Sequence, residues 1–125
     1  MSIDVERYFP ADLDQLGVAR TWSVACCREM GCAELGATVE LLVDELLTNA
    51  FVHAGSSAAV CLVCDGPTLH GEVTDYGPGQ VARRDPEPGR IGGWGLQVVD
   101  GLSTQWSVGY HRVGKTVSFT LVRPV

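Results

Sequence analysis

Residues 33–52 carry the pattern that most constrains how this chain can fold. At about 100° per residue, one broad apolar arc takes in Leu35, Val39, Leu42, Val43, Leu46, Leu47 and Ala50. A helix with so wide an apolar arc has to be covered by another layer of structure. Glu45 and Asn49 lie at the edge of the arc and are four residues apart, which places their side chains on one helix face.

Two predicted hairpins supply that other layer. Residues 58–65 and 68–74 read as strands on either side of Asp65-Gly66-Pro67, and residues 105–111 and 115–123 read as strands around Val113-Gly114. Turns this short join antiparallel neighbours in a sheet.

Shorter elements complete the prediction. Residues 3–9 read as a first strand, a helix capped by Asp12 runs to about Met30, and residues 94–102 read as a short helix. The predicted order is β-α-α-β-β-α-β-β within one domain of residues 1–125. This order indicates an α+β, two-layer sandwich: a mixed, mostly antiparallel sheet with helices on one face.

Composition restricts the location and the partners. The formal net charge is −6 and the nine Lys and Arg residues are scattered, which argues against nucleic acid as a partner. The chain has no apolar run long enough to cross a membrane and its first residues are too charged for a signal peptide, so we expect a cytoplasmic protein. An odd count of five cysteines argues for reduced thiols.

One pair of those cysteines has the spacing of a metal or redox site. Cys61 and Cys64 are three residues apart, but they fall in a predicted strand. Because strand positions three apart point to opposite faces of a sheet, we expect the two thiols to be separate structural groups.

The helix face that carries Glu45 and Asn49 has the chemistry of a magnesium and phosphate site. The side chains of residues at i and i+4 lie about 6 Å apart and can address one ligand. An Asn amide oxygen suits Mg²⁺, which takes few protein oxygens beside phosphate and water. A carboxylate beside it can orient or deprotonate an attacking hydroxyl. The polar edge of any amphipathic helix would look the same, so the pair alone leaves both interpretations open.

Two glycine motifs follow this helix. In Asp75-Tyr-Gly77-Pro-Gly79, the carboxylate can accept a hydrogen bond from an exocyclic amine such as that of adenine, while the glycines let a planar base approach the backbone. Gly92-Gly93-Trp94-Gly95 precedes a predicted helix, whose free N–H groups can bind phosphate. An ordinary turn and an ordinary loop before a helix remain the alternatives.

A stronger-looking phosphate motif is rejected on context. The residues Gly109-Tyr-His-Arg-Val-Gly114-Lys115-Thr116 satisfy the Walker A pattern letter for letter. A P-loop needs a helix after its lysine, but Thr116-Val-Ser-Phe-Thr-Leu-Val is β-branched and alternating. The segment therefore predicts a strand, with the glycines at a hairpin turn.

Taken together, the motifs resemble those of the GHKL (Bergerat-fold) ATPases, and most of all the small anti-sigma-factor serine kinases. The resemblance is carried, over nearly the whole chain, by Glu45-x-x-x-Asn49-Ala50, Asp75-x-Gly77-x-Gly79, Gly92-Gly93-Trp94-Gly95-Leu96 and Gly114-Lys115-Thr116.

The resemblance implies a role for each motif residue, with ATP and Mg²⁺ as cofactors. It makes Glu45 the catalytic base and Asn49 the magnesium ligand. Asp75 would read adenine with Thr116 supporting it. The remaining nucleotide-binding residues would be Gly77 and Gly79 on the base side, and Gly93, Gly95 and Leu96 on the phosphate side.

Relatives of this kind bind a sigma factor, often as dimers, and many phosphorylate a serine on an anti-anti-sigma protein. The resemblance therefore implies an ATP-dependent protein-serine kinase that is also an anti-sigma factor and a possible homodimer. The alternative is a non-catalytic anti-sigma or regulatory binding module, in which ATP is a structural ligand or absent.

Overall fold

The computed structural model describes residues 2–77 and 96–124. Its strands are β1 (Ser2–Phe9), β2 (Ala58–Asp65), β3 (Thr68–Asp75), β4 (Gln105–Tyr110) and β5 (Lys115–Val122). Its α-helices are α1 (Gln15–Glu29), α2 (Gly36–Thr48) and α3 (Leu96–Leu102). The predicted α+β class and the predicted order of elements are confirmed.

The strands form one sheet in the order β1-β2-β3-β5-β4. All four pairings are antiparallel, so among the described strands the sheet is wholly antiparallel rather than mixed. The central pairing of β3 with β5 joins segments that are distant in the sequence. It places Asp75, at the end of β3, directly opposite Lys115, at the start of β5.

The core lies between one face of the sheet and the helices. Alternate residues of β2 are buried there, and the predicted apolar arc of α2 is buried in the same core. At the edge of the core, the rings of Phe9 and Trp22 pack edge to face with centroids 5.6 Å apart, which ties β1 to α1. No helix in the described part of the chain is long and apolar enough to cross a membrane.

Both long helices differ in detail from their predictions. The Asp12 carboxylate accepts a hydrogen bond from the Asp14 N–H at 2.9 Å, so Asp12 forms a turn and the helix begins only at Gln15. The second helix begins with a 3₁₀ turn and ends with a π-turn, Asn49–His53. In that π-turn the Asn49 carbonyl accepts the Ala54 N–H at 3.1 Å, which bonds residues five apart.

The Walker-like segment, residues 109–116, lies in the hairpin formed by β4 and β5. Lys115–Val122 forms β5 and no helix follows the lysine, which confirms that the Walker-like sequence is not a P-loop. Gly114 has a positive φ of 90° and serves the turn between β4 and β5.

Gly71 allows β3 and β5 to pack closely. It lies opposite Phe119, and a Cβ at Gly71 would overlap the end of that ring and lie 2.6 Å from Cε1. Phe119 is buried in the core, so its ring cannot move aside. We expect Gly71→Ala to lower the free energy of unfolding by about 1–3 kcal/mol in denaturant titrations. Gly109→Ala on β4 is the control, since its Cβ would meet no atom within 4 Å. Equal losses in the two variants would contradict this packing.

The cysteines behave as structural thiols. Cys64 is buried on the core side of β2 whereas Cys61 is partly exposed, which confirms that the pair is split between faces. Burial raises the pKa of Cys27 from 9.0 to about 11, and burial also raises the pKa of Cys32.

The raised pKa of Cys27 predicts how the free energy of unfolding depends on pH. The folded chain holds the Cys27 proton to a higher pH than the unfolded chain does, so the contribution to stability is complete below about pH 9 and is lost as pH rises toward 11. Denaturant midpoints should therefore fall across that range, and less steeply in Cys27→Ala than in the wild type. An equal slope in the variant would show that Cys27 does not contribute.

Candidate functional site

A small cavity lies where the end of α2 meets the end of β3 and the start of β5. Its lining residues are Leu46, Asn49, Val73, Asp75, Leu96, Lys115 and Val117, and its volume is about 20 Å³. That volume holds about one water molecule. The cavity brings together four residues from separate sequence motifs, Asn49, Asp75, Leu96 and Lys115.

Asn49 presents a buried amide to this cavity. The residue is only 7% exposed and begins the π-turn at the end of α2. An amide carries both donor N–H groups and an acceptor oxygen, so Asn49 in the cavity lining is suited to bind a ligand.

Glu45 lies one turn before Asn49 on α2. The Asn49 N–H donates to the Glu45 carbonyl, so the two residues follow each other along the helix as predicted. Glu45 is half-buried and is not part of the cavity lining. Its carboxylate therefore stands beside the cavity rather than in it.

Asp75 provides a buried carboxylate on the opposite wall. Its side chain is 6% exposed, and Oδ1 accepts a hydrogen bond from the Gly77 N–H at 3.3 Å. Oδ2 accepts one from Lys115 Nζ at 2.5 Å, which makes an ion pair inside the cavity. The sequence motif contained Lys115 without giving it a role. The strand register that sets it opposite Asp75 is the signal that identifies it.

Two glycines make this arrangement possible. A Cβ at Gly77 would overlap the Ala54 carbonyl oxygen and lie 2.8 Å from the Ala54 Cβ, so only glycine lets the loop after β3 pack on the π-turn. A Cβ at Gly114 would overlap the Asp75 carbonyl oxygen and lie 2.7 Å from its carbonyl carbon. Gly114 thereby keeps the start of β5 against Asp75.

Thr116 is next to the site in sequence but faces the other side of the sheet. Its hydroxyl shares a hydrogen bond of 2.8 Å with the Thr74 hydroxyl and one of 2.7 Å with His111 Nε2. Because side chains alternate along a strand, Lys115 and Val117 line the cavity while Thr116 does not. Hydrogen bonds thus join Thr116 to Thr74 and His111, and Lys115 is the β5 residue bonded to the Asp75 carboxylate.

The remaining predicted residues, Gly79, Gly93 and Gly95, lie outside the described residues together with Trp94. Their roles stay predictions. Leu96 is the first described residue after them and is buried at the start of α3.

Solved structures share this fold. A crystal structure of the RsbU and RsbW domains of Rv1364c from Mycobacterium tuberculosis matches with a TM-score of 0.74 and 17% identity. The match covers 98% of this chain but only 34% of that protein, so this chain spans about a third of its length. At this identity the likeness shows a common fold and nothing of activity.

Comparison of the sequence with models of protein families identifies the family of this chain. No curated protein matches the chain. A family model described as the histidine kinase-like ATPase domain matches residues 9–121, which include the whole cavity lining and Glu45. The resemblance to the GHKL ATPases is thereby confirmed, and this chain belongs to the family of histidine kinase-like ATPase domains.

Proposed function

We propose that this chain binds Mg-ATP at the cavity between α2, β3 and β5 and, as an anti-sigma factor, phosphorylates a serine of an anti-anti-sigma protein. The observation that carries the proposal is the pairing of two buried polar groups in one apolar-walled cavity. Asn49 on the helix side and Asp75 on the sheet side are both buried, and both line this cavity.

The cavity suits an adenine base in its chemistry. Leu46, Val73 and Val117 provide apolar walls, and Asp75 provides an acceptor for an exocyclic amine. These groups lie on the walls that α2, β3 and β5 contribute to the cavity.

Asn49 suits magnesium that arrives with a nucleotide. In the described part of the chain, no group of three or more His, Cys, Asp or Glu side chains could hold a metal ion by itself. Mg²⁺ commonly takes one or two protein oxygens and completes its shell with phosphates and water, which a single amide oxygen fits. When bound, the ion neutralises charge on the phosphate oxygens.

Glu45 is the proposed catalytic base. It lies one turn from Asn49 on the same helix face, where its carboxylate can accept the proton of a serine hydroxyl that attacks the terminal phosphate. The helix thus sets the distance between the proton acceptor and the magnesium ligand.

Incubation with Mg-ATP and a candidate anti-anti-sigma protein tests the reaction. The proposal predicts one phosphoserine on that protein, detected by mass spectrometry, and no transfer when ADP replaces ATP. Nucleotide binding without any transfer would contradict the kinase assignment and favour the non-catalytic binding module. Binding of a sigma factor is measured in the same samples by size-exclusion chromatography.

A further inference from the structure

Lys115 lines the cavity, and the proposed function gives it no role. Its side chain is 24% exposed, lines the cavity, and lies opposite Asp75 across the β3–β5 pairing. Gly114, held against the Asp75 carbonyl, fixes the backbone immediately before it. The backbone position of Lys115 is therefore fixed by the packing of β5 against β3.

Within residues 2–77 and 96–124, the Lys115 and Asp75 pair has unused hydrogen-bonding capacity on both sides. An ammonium has three donors, and its bond to an acceptor in the described part of the chain is the one to Asp75 Oδ2. A carboxylate has about four acceptor sites, and the described residues occupy two of them, through Gly77 and Lys115. With respect to the described residues, the cavity thus presents a free donor next to a free acceptor.

An adenine base carries the complementary pattern. Its exocyclic amine is a donor, and that amine is flanked by the ring nitrogens N1 and N7, which are acceptors. A carboxylate alone would match the amine and leave the neighbouring ring nitrogen facing negative charge. With Lys115 in place, both groups on one edge of the base find partners.

We propose that Lys115 is a specificity-determining residue for the base: its ammonium donates a hydrogen bond to a ring nitrogen of adenine while Asp75 accepts one from the exocyclic amine. This inference rests on the proposed nucleotide binding.

Retention of the ion pair has an independent physical reason. A bound base removes more water from Asp75, and a buried carboxylate that loses its cation is strongly destabilised. Lys115 therefore stays paired with Asp75 when a base binds, and its remaining N–H donors stay at the cavity.

The test removes the ring-nitrogen acceptor from the ligand and the ammonium donor from the protein, first separately and then together. ADP, 1-deaza-ADP and 7-deaza-ADP, in which a C–H replaces one ring nitrogen, are titrated against the wild type and Lys115→Met. Arg123→Met is the matched control, because Arg123 is a cation just after β5 that pairs with Glu34 instead of lining the cavity.

We expect the wild type to bind one of the two deaza analogues about tenfold more weakly than ADP, the size of a hydrogen bond to a charged group. Lys115→Met should bind ADP about tenfold more weakly and should bind that analogue as well as it binds ADP. Arg123→Met should behave as the wild type does.

Three results would overturn the assignment: equal affinity of the wild type for all three ligands, unchanged discrimination in Lys115→Met, or tighter ADP binding by that variant. A wild type that binds no ADP would instead reject the proposed function itself. If Lys115→Met does not fold, the same comparison is made between Asp75→Asn and Asp75→Asn/Lys115→Met, where no buried carboxylate lacks its cation.

Discussion

Glu45→Gln should lower the rate of serine phosphorylation by about 10²- to 10⁴-fold, the range associated with loss of a general base. The amide keeps the size of the side chain but cannot accept the hydroxyl proton. Glu45 lies beside the cavity and not in its lining, so ADP affinity should stay within about twofold of the wild type. Single-turnover phosphorylation and ADP titration measure the two quantities separately.

Glu40→Gln is the control for this variant. Glu40 is also a half-buried glutamate on α2, but it lies five residues earlier and so points away from the face of Glu45 and Asn49. The Glu40→Gln variant should phosphorylate the serine at the wild-type rate. Equal rates in Glu45→Gln and the wild type would remove Glu45 from the reaction.

Gly114→Ala should both destabilise the fold and weaken nucleotide binding. Its φ of 90° is unfavourable for alanine, and the added Cβ would overlap the Asp75 carbonyl. The start of β5 must then move away from the end of β3, taking Lys115 from Asp75. We expect a loss of about 3 kcal/mol or more in the free energy of unfolding, from strain and overpacking together, together with a loss of ADP affinity.

Gly66→Ala separates the two causes. Gly66 also has a positive φ, 61°, but a Cβ there would meet no atom within 4 Å. This control should lose only the strain of the backbone conformation, about 1–3 kcal/mol, and should bind ADP normally. Equal effects of the two substitutions on binding would show that the contact of Gly114 with Asp75 does not matter for the site.

Sequence patterns predicted most of the helices and strands, because the spacing of apolar residues and the content of β-branched residues determine these elements locally. The apolar arc of α2 had to be buried, and the β-branched run after Gly114 had to be a strand, whatever the glycine-lysine spacing suggested. The start of α1 was predicted wrongly because an aspartate can cap a helix or form a turn with its own backbone, and Asp12 does the latter.

The site was harder to predict because it depends on which strands pair. Asp75 and Lys115 are forty residues apart, and only the register of β3 with β5 brings them together. The same register sends Thr116 to the opposite face, where it bonds with Thr74 and His111. Motif order could place Asn49 and Asp75 near one ligand, but it could not select the residue of β5 that bonds to the Asp75 carboxylate.

Calorimetric titration of the chain with ADP and Mg²⁺ tests the central claim most directly. The wild type should bind one nucleotide, Asn49→Ala should lose the gain in affinity that Mg²⁺ provides, and Asp75→Asn should bind at least about tenfold more weakly. No binding of ADP to the folded wild type, or an unchanged affinity in both variants, would contradict nucleotide binding at this cavity.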